Sequence, residues 1–182
     1  MFSWKELQKV YLISDTHFWH KKITEYCNRP VNWHKITIEN WNNIVSPSDI
    51  ILHLGDFSLG NRKRTELIMS MLNGDIYLIK GNHDRHGRSW YKSMGINMIN
   101  PFIIQEGGKS IYFTHKPVDG MGRDGIGIHG HWHSNSPWIR EELDGSKYMN
   151  VSVDQIHYKP RKFKDMYPLV EKGGLHFREE LI

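Results

Sequence analysis

Nine side chains able to bind a metal or move a proton share one local setting, each just beyond a short apolar run. Asp15 and His17 follow "VYLIS" (10–14), and Asp56 follows "IILHL" (50–54) and Gly55. Asn82, His83 and Asp84 follow "IYLIK" (76–80) and Gly81, and His115 follows "IYFT" (111–114). His131 and His133 follow "IGIH" (126–129) and Gly130. Asp15, His17, Asp56, Asn82, His115, His131 and His133 together offer two carboxylates, one carboxamide and four imidazoles. A closed structural zinc site needs about four ligands. Seven are too many for one small ion and suit two, provided that one carboxylate bridges, with the ions about 3.5–4 Å apart as in two-metal phosphate chemistry.

Runs of four or five residues rich in Ile, Val, Leu and Tyr, bounded by Gly or polar residues, read as buried strands. Each delivers its polar groups at the carboxyl end, the edge at which α/β sheets bind ligands. Helices are expected over 36–46, with Ile36, Asn40, Trp41 and Ile44 near helical spacing, and over 64–74, where Leu67, Ile68, Met71 and Leu72 share a face and Gly74 stands as C-cap. Trp90, Tyr91 and Met94, followed by Gly95, suggest a shorter helix, and these Met and Trp positions are assigned to the core. "YMNVSVD" (148–154) alternates as a strand, while "YPLVEKGGLHFREELI" (167–182) gives no clear choice between strands and a helix.

Composition narrows the function classes. With 182 residues, 38% hydrophobic and 24% charged, the chain is expected to fold as a single globular domain over 1–182 with no room for a cap. A formal charge of +4 suits phosphates and nucleic acid without requiring them. Cys27 is the only cysteine, which excludes an internal disulfide and Cys-based zinc sites. The N-terminal stretch lacks the apolar segment of a signal peptide, and no run is long enough to span a membrane, so a cytoplasmic location is expected.

"DTH" (15–17), "GD" (55–56), "GNHD" (81–84), His115 and "GHWH" (130–133) resemble, in the same order, the motif set of calcineurin-like metallophosphoesterases. The resemblance runs from Val10 to about Asp154. "CNRP" (27–30), "HLGDFS" (53–58) and "NVSVDQIHYKP" (150–160) are similar to small single-domain bacterial and phage members. It implies an α/β fold, a four-layer α-β-β-α sandwich of two mixed sheets flanked by helices. It also implies that Asp15, His17 and His133 bind one divalent ion, that Asp56 bridges, and that Asn82, His115 and His131 complete the second. His83 is then a general acid or phosphate contact, with Asp84 orienting its ring. Four imidazoles argue against Mg²⁺ or Ca²⁺ and for a borderline metal. Manganese is the expectation, with Fe, Zn and Ni as alternatives. Two divalent ions against two carboxylates leave the centre net positive even with a bridging hydroxide, so it still attracts a phosphate ester.

The remaining histidines and cations are weighed against surface or packing roles. His129 precedes Gly130 on a strand and is expected to be packed, and His53 and His86 are read as structural. His20, Arg85, Lys116 and Arg123 are the substrate-contact candidates. "GMGRDG" (120–125) matches a dinucleotide-binding pattern, but it precedes a strand rather than opening a helix, so it is read as a loop near the site. Many relatives carry an acidic or basic residue three positions after the bridging aspartate, where this chain has Leu59, so substrate contacts mapped there do not transfer. The leading expectation is a phosphodiesterase acting on phosphate esters, nucleotides and cyclic nucleotides included. The alternative is a metal-dependent nuclease on DNA or RNA, although no aromatic-basic stripe is visible. A non-catalytic scaffold of the same fold fits less well, because every metal-motif position holds a competent residue. Oligomeric state is left open.

Overall fold

Short apolar runs cannot cover themselves, and here they pair into two sheets. In the computed structural model, which describes residues 2–172, the first sheet contains β1 (Tyr11–Ile13), β2 (Ile50–His53), β3 (Asp75–Ile79) and β4 (Asn97–Ile99), all parallel, with β10 (Arg161–Lys162) antiparallel on the outer edge of β1. The second is ordered β5 (Phe102–Glu106), β6 (Lys109–Phe113), β7 (Gly125–His129), β9 (Lys147–Asn150) and β8 (Ile139–Glu141). Its three central strands are parallel and both outer strands antiparallel. With the helices, this is the α/β sandwich of two mixed sheets expected from the sequence. β1 and β7 are buried at every position, which explains why they read as continuous apolar runs rather than alternating ones.

The register aligns the chemistry. Leu12 pairs with Leu52 and Ile13 with His53, so the turns after β1 and β2 emerge side by side. An isolated parallel bridge between Ser14 and Ser152 joins the carboxyl ends of the two sheets. The hairpin between β5 and β6 turns on Gly107 and Gly108, both at positive φ (56° and 77°), a Gly-Gly signal that the sequence reading passed over.

Six helices form among the described residues: α1 (Trp4–Leu7), α2 (Ile23–Tyr26), α3 (Trp33–Asn42), α4 (Arg62–Met69), α5 (Arg88–Lys92) and α6 (Phe163–Glu171). α3 begins three residues earlier than its apolar spacing suggested, and it buries Trp33, Thr37 and Trp41 while Ile44 is exposed beyond its end. α4 starts where the Asn61 side chain accepts a hydrogen bond from the Arg64 backbone N–H. It ends at Met69, so Gly74 is not its cap; that glycine turns the chain into β3 at φ 88°, where a Cβ would run into Ile51 and the Asp49 carbonyl. Of the residues expected to share its buried face, Ile68 is buried, but Leu67 and Met71 are exposed, so Met71 is a correction to the core assignment. Residues 167–171 of the undecided C-terminal segment are helical, as the end of α6, in which Tyr167 and Val170 are buried. Residues 173–182 lie outside the described residues. No helix among the described residues is long and apolar enough to cross a membrane.

Candidate metal centre

Six strands converge on one end of the sandwich. Asp15 and His17 follow β1, Asp56 follows β2, and Asn82 and His83 follow β3; His115, the pair His131 and His133, and Asp154 follow β6, β7 and β9. Cross-sheet hydrogen bonds lock this end together. The His131 N–H donates to Asp15 Oδ2 (2.9 Å), and His115 Nδ1 lies 2.8 Å from the Leu54 carbonyl. The turns are tight enough that Asp15, His17, Asp56, His131 and His133 all occupy the left-handed region, with φ between 47° and 69°. For non-glycine residues this is uncommon and costs energy, and it concentrates where a site needs it. Gly81 and Gly130 permit the close approach. A Cβ on Gly81 would overlap the Asp56 carboxylate and backbone nitrogen, and one on Gly130 would overlap Ser14 Oγ and Asp15 Oδ2.

Among the described residues three clusters of ligand-type atoms result, each with its atoms within 4.8 Å of one another: Asp15–His17–His133, Asp56–His115–His131, and Cys27–His133–Asp154 behind the first. Both carboxylates are held by one oxygen and present the other. Asp15 Oδ2 accepts from the His131 N–H and from Ser152 Oγ (2.8 Å), while Oδ1 faces His17 Nε2 and His133 Nε2, each at 3.8 Å. Asp56 Oδ1 accepts from the His83 N–H at 2.7 Å, and Oδ2 lies 3.4 Å from both His17 Nε2 and His115 Nε2. One Asp56 oxygen therefore sits between the first two clusters.

These atoms fit divalent cations. Asp15 Oδ1 and His17 Nε2 are buried with no hydrogen-bond partner among the described residues, a state that native proteins rarely leave unexplained. His115 Nε2 faces both Asp56 Oδ2 and Asn82 Oδ1 (2.9 Å) while Nδ1 faces the Leu54 carbonyl, so a cation on the Nε2 side satisfies acceptors that a neutral imidazole cannot.

The sequence profile of the calcineurin-like phosphoesterases matches residues 8–173. The chain belongs to this family. It is 37% identical over 179 residues to the uncharacterized protein MJ1445 of Methanocaldococcus jannaschii, spanning 92% of this chain and 94% of that one. The crystal structure of AQ665, a protein of unknown function from Aquifex aeolicus, superposes with a TM-score of 0.66 at 25% identity, over 88% of this chain and 98% of that one. A structure described as a novel archaeal phosphodiesterase aligns more loosely, with a TM-score of 0.41 at 23% identity over 78% of this chain and 81% of that one.

Within this family member, the electrostatics follow the geometry. Burial holds the His17 pKa well below the usual histidine value. Burial opposes protonation of His115 too, but its hydrogen bond to Asp56 and the charges of Asp15 and Asp56 outweigh it and raise the pKa. Burial likewise works against charge on His133, yet Asp154 and Cys27 beside it raise the pKa to about 10. Asp56 is buried, which favours the neutral acid, but His115, His17 and the His83 N–H hold it ionised.

Asp84 corrects an expectation. Its carboxylate does not orient the His83 ring. It accepts from the backbone N–H groups of Asp56, Phe57 and Gly81 at 2.7–3.0 Å and from the Tyr91 hydroxyl at 3.1 Å, tying the β2 and β3 turns together. Arg123 is a second correction. It precedes β7, whereas His131 and His133 follow that strand, and the neighbouring Asp124 pairs with Lys109 at the start of β6. Five residues at about 3.3 Å each place it roughly 15 Å from the edge that gathers Asp15, Asp56 and His131.

The other candidates lie nearer. The His20 ring centroid is 5.4 Å from that of His17 and 6.1 Å from that of His83. Exposed Arg85 lines a cavity of about 90 Å³ with His83, Ser58, Leu59, Gly60 and His86. Exposed Lys116 lies close enough to His131 to lower its pKa, although burial does so more. His129 is buried with Nδ1 2.7 Å from the Gly130 carbonyl, His53 is buried, and His86 stacks on Trp90 at 3.9 Å.

Two residues escaped the sequence reading. Asp154 Oδ2 lies 2.9 Å from His133 Nδ1, and the buried Arg29 donates to both Asp154 oxygens at 2.8 Å and to the Asp15 and Thr16 carbonyls. Such a partner orients a ligating imidazole. Asp154 carried the same signal as Asp15, an aspartate just past an apolar strand, and "CNRP" marked the position of Arg29.

Proposed function

We propose that the protein is a two-metal phosphodiesterase, built as one domain, whose native ions are Mn²⁺. The observation that carries this reading is Asp56 Oδ2, equidistant at 3.4 Å from the His17 and His115 imidazoles, the position a bridging carboxylate needs. Asp15, His17 and His133 would hold one ion, and Asn82, His115 and His131 the other, with Asp56 shared. When bound, a divalent pair supplies an activated water at neutral pH and neutralises charge on the phosphate oxygens. The chain does the rest. The His83 N–H fixes Asp56 Oδ1, so Oδ2, the oxygen that would be shared, keeps its direction. The His83 ring, half-buried and 5.2 Å from the His17 ring, stands at the rim, where it donates a proton to the departing ester oxygen. Arg85 and Lys116, both exposed, offer positive charge to the phosphate from the surface.

The test is hydrolysis of bis(p-nitrophenyl) phosphate and p-nitrophenyl phosphate by metal-stripped protein reloaded separately with Mn²⁺, Ni²⁺, Zn²⁺ and Mg²⁺. Diester turnover restored by Mn²⁺ and lost in Asp56→Asn is the expected result. No turnover with any metal, although two ions bind per chain, would overturn it.

A further inference from the structure

Beside the metal centre lies a cavity of about 370 Å³ that the chemistry above leaves unused. Trp19, His20, Lys21, Thr24, His34 and Arg64 line it. His20 connects the two, because its ring neighbours His17 and His83 on one side and walls the cavity on the other. Apart from Thr24 and Val31, the remaining walls are aromatic and cationic. The Arg64 guanidinium lies 5.2 Å from the Trp19 ring centroid, and Trp19 Nε1 donates to the Arg64 carbonyl at 3.0 Å, which fixes the indole plane. The Trp19 N–H donates to His34 Nε2 at 2.8 Å. Burial, aided by Arg29, lowers the His34 pKa to about 4, so its ring is neutral at physiological pH. With Nε2 accepting, the proton sits on Nδ1. Trp33 packs against His34 with ring centroids 3.8 Å apart and backs the wall.

Flat π faces, a cation over one of them and a neutral imidazole in the wall match a heteroaromatic ring better than an alkyl chain. The size falls at the lower end of the ~300–1,000 Å³ of small-molecule sites.

We propose that this cavity binds the nucleobase of a phosphodiester whose phosphate occupies the metal centre. The inference rests on the phosphoesterase reading and narrows its substrate to nucleotides, either a cyclic mononucleotide or the end of a single strand.

Calorimetric binding of AMP and of ribose 5-phosphate to the Mn²⁺-loaded protein isolates the base. Base stacking on an aromatic platform corresponds to an AMP preference of about 5- to 100-fold. That preference should collapse in Trp19→Ala and in Thr24→Phe, which fills the cavity from α2. Equal affinity for the two ligands in the unmodified protein overturns the base subsite, as does a preference that survives both variants. Turnover of 2′,3′- or 3′,5′-cyclic AMP, or of an adenine oligonucleotide, with a Trp19-dependent KM identifies the source of the base; turnover of none overturns the substrate assignment. Bis(p-nitrophenyl) phosphate separates the two ideas. Its hydrolysis alongside equal AMP and ribose 5-phosphate binding removes the base subsite alone, and its resistance removes the phosphodiesterase reading.

Discussion

Asp154→Ala tests whether the metal centre depends on charges behind it. In the folded chain Arg29 donates from Nε to Asp154 Oδ1 and from Nη2 to Oδ2, both at 2.8 Å, and the two side chains are only 0% and 4% exposed. Removing the carboxylate leaves a guanidinium with the Thr16 and Asp15 carbonyls, His133 Nδ1 and the face of Trp33 around it but no counter-charge bonded to it. Breaking a buried pair in this way costs about 3–5 kcal/mol. For a chain of this size each kcal/mol shifts Tm by about 2–4 °C, so Tm should fall by roughly 6–20 °C. His133 also loses the acceptor 2.9 Å from its Nδ1, and loss of such a partner typically weakens metal binding about 10–100-fold. Thermal unfolding in chelator reads the first effect, and Mn²⁺ titration calorimetry at a temperature where the variant is folded reads the second. The double replacement Arg29→Met/Asp154→Leu should regain part of the stability, because no charge is then stranded, but not the metal affinity. A variant within about 1 kcal/mol of the parent with unchanged Mn²⁺ affinity would refute the argument, and so would full recovery of affinity in the double replacement.

Three further outcomes are expected. His83→Ala should retain its metals yet lose about 10²–10⁴-fold in kcat on a diester with a poor leaving group, and less on an aryl ester; equal losses on both count against the proton-donor role. His53 is fully buried, and burial lowers its pKa from 6.5 to about 3, so the folded state binds fewer protons than the unfolded state between those values. Its stability contribution is complete above pH 6.5 and declines as pH falls towards 3, by about 2 kcal/mol between pH 7 and pH 5. His53→Gln should be less acid-sensitive by that amount in urea unfolding with chelator present, and parallel pH profiles would contradict the assignment. Gly81→Ala drives a Cβ into Asp56 and should cost about 1–3 kcal/mol of stability together with Mn²⁺ affinity, read by the same unfolding and titration experiments.

Much of this molecule was legible before any coordinate. Burial on both faces forces β1 and β7 to be apolar throughout, so strands and their polar ends stand out in the chain. A group placed just past a parallel strand emerges at the ligand-binding edge whatever its neighbours are, which is why Asp15, Asp56, His115 and His131 could be named together. Less legible were the helix faces, where Leu67 and Met71 had the right spacing but no sheet to cover them. Asp84 was misread because sequence adjacency to His83 says nothing about which backbone amides its carboxylate meets.

The sequence by itself therefore determined the six strands that carry the candidate site, the residue types at their carboxyl ends and the family to which the chain belongs, because those depend on local pattern and order, whereas the edge strands β4, β5, β8 and β10 went unread. Only the tertiary structure decided which oxygen of each aspartate faces the imidazoles, that Arg29 and Asp154 stand behind His133, that Arg123 lies at the far end of its strand, and that Trp19, His34 and Arg64 share a cavity beside His20. Those outcomes depend on how two sheets and their connecting turns meet, and contacts between residues distant along the chain leave no periodic trace in it.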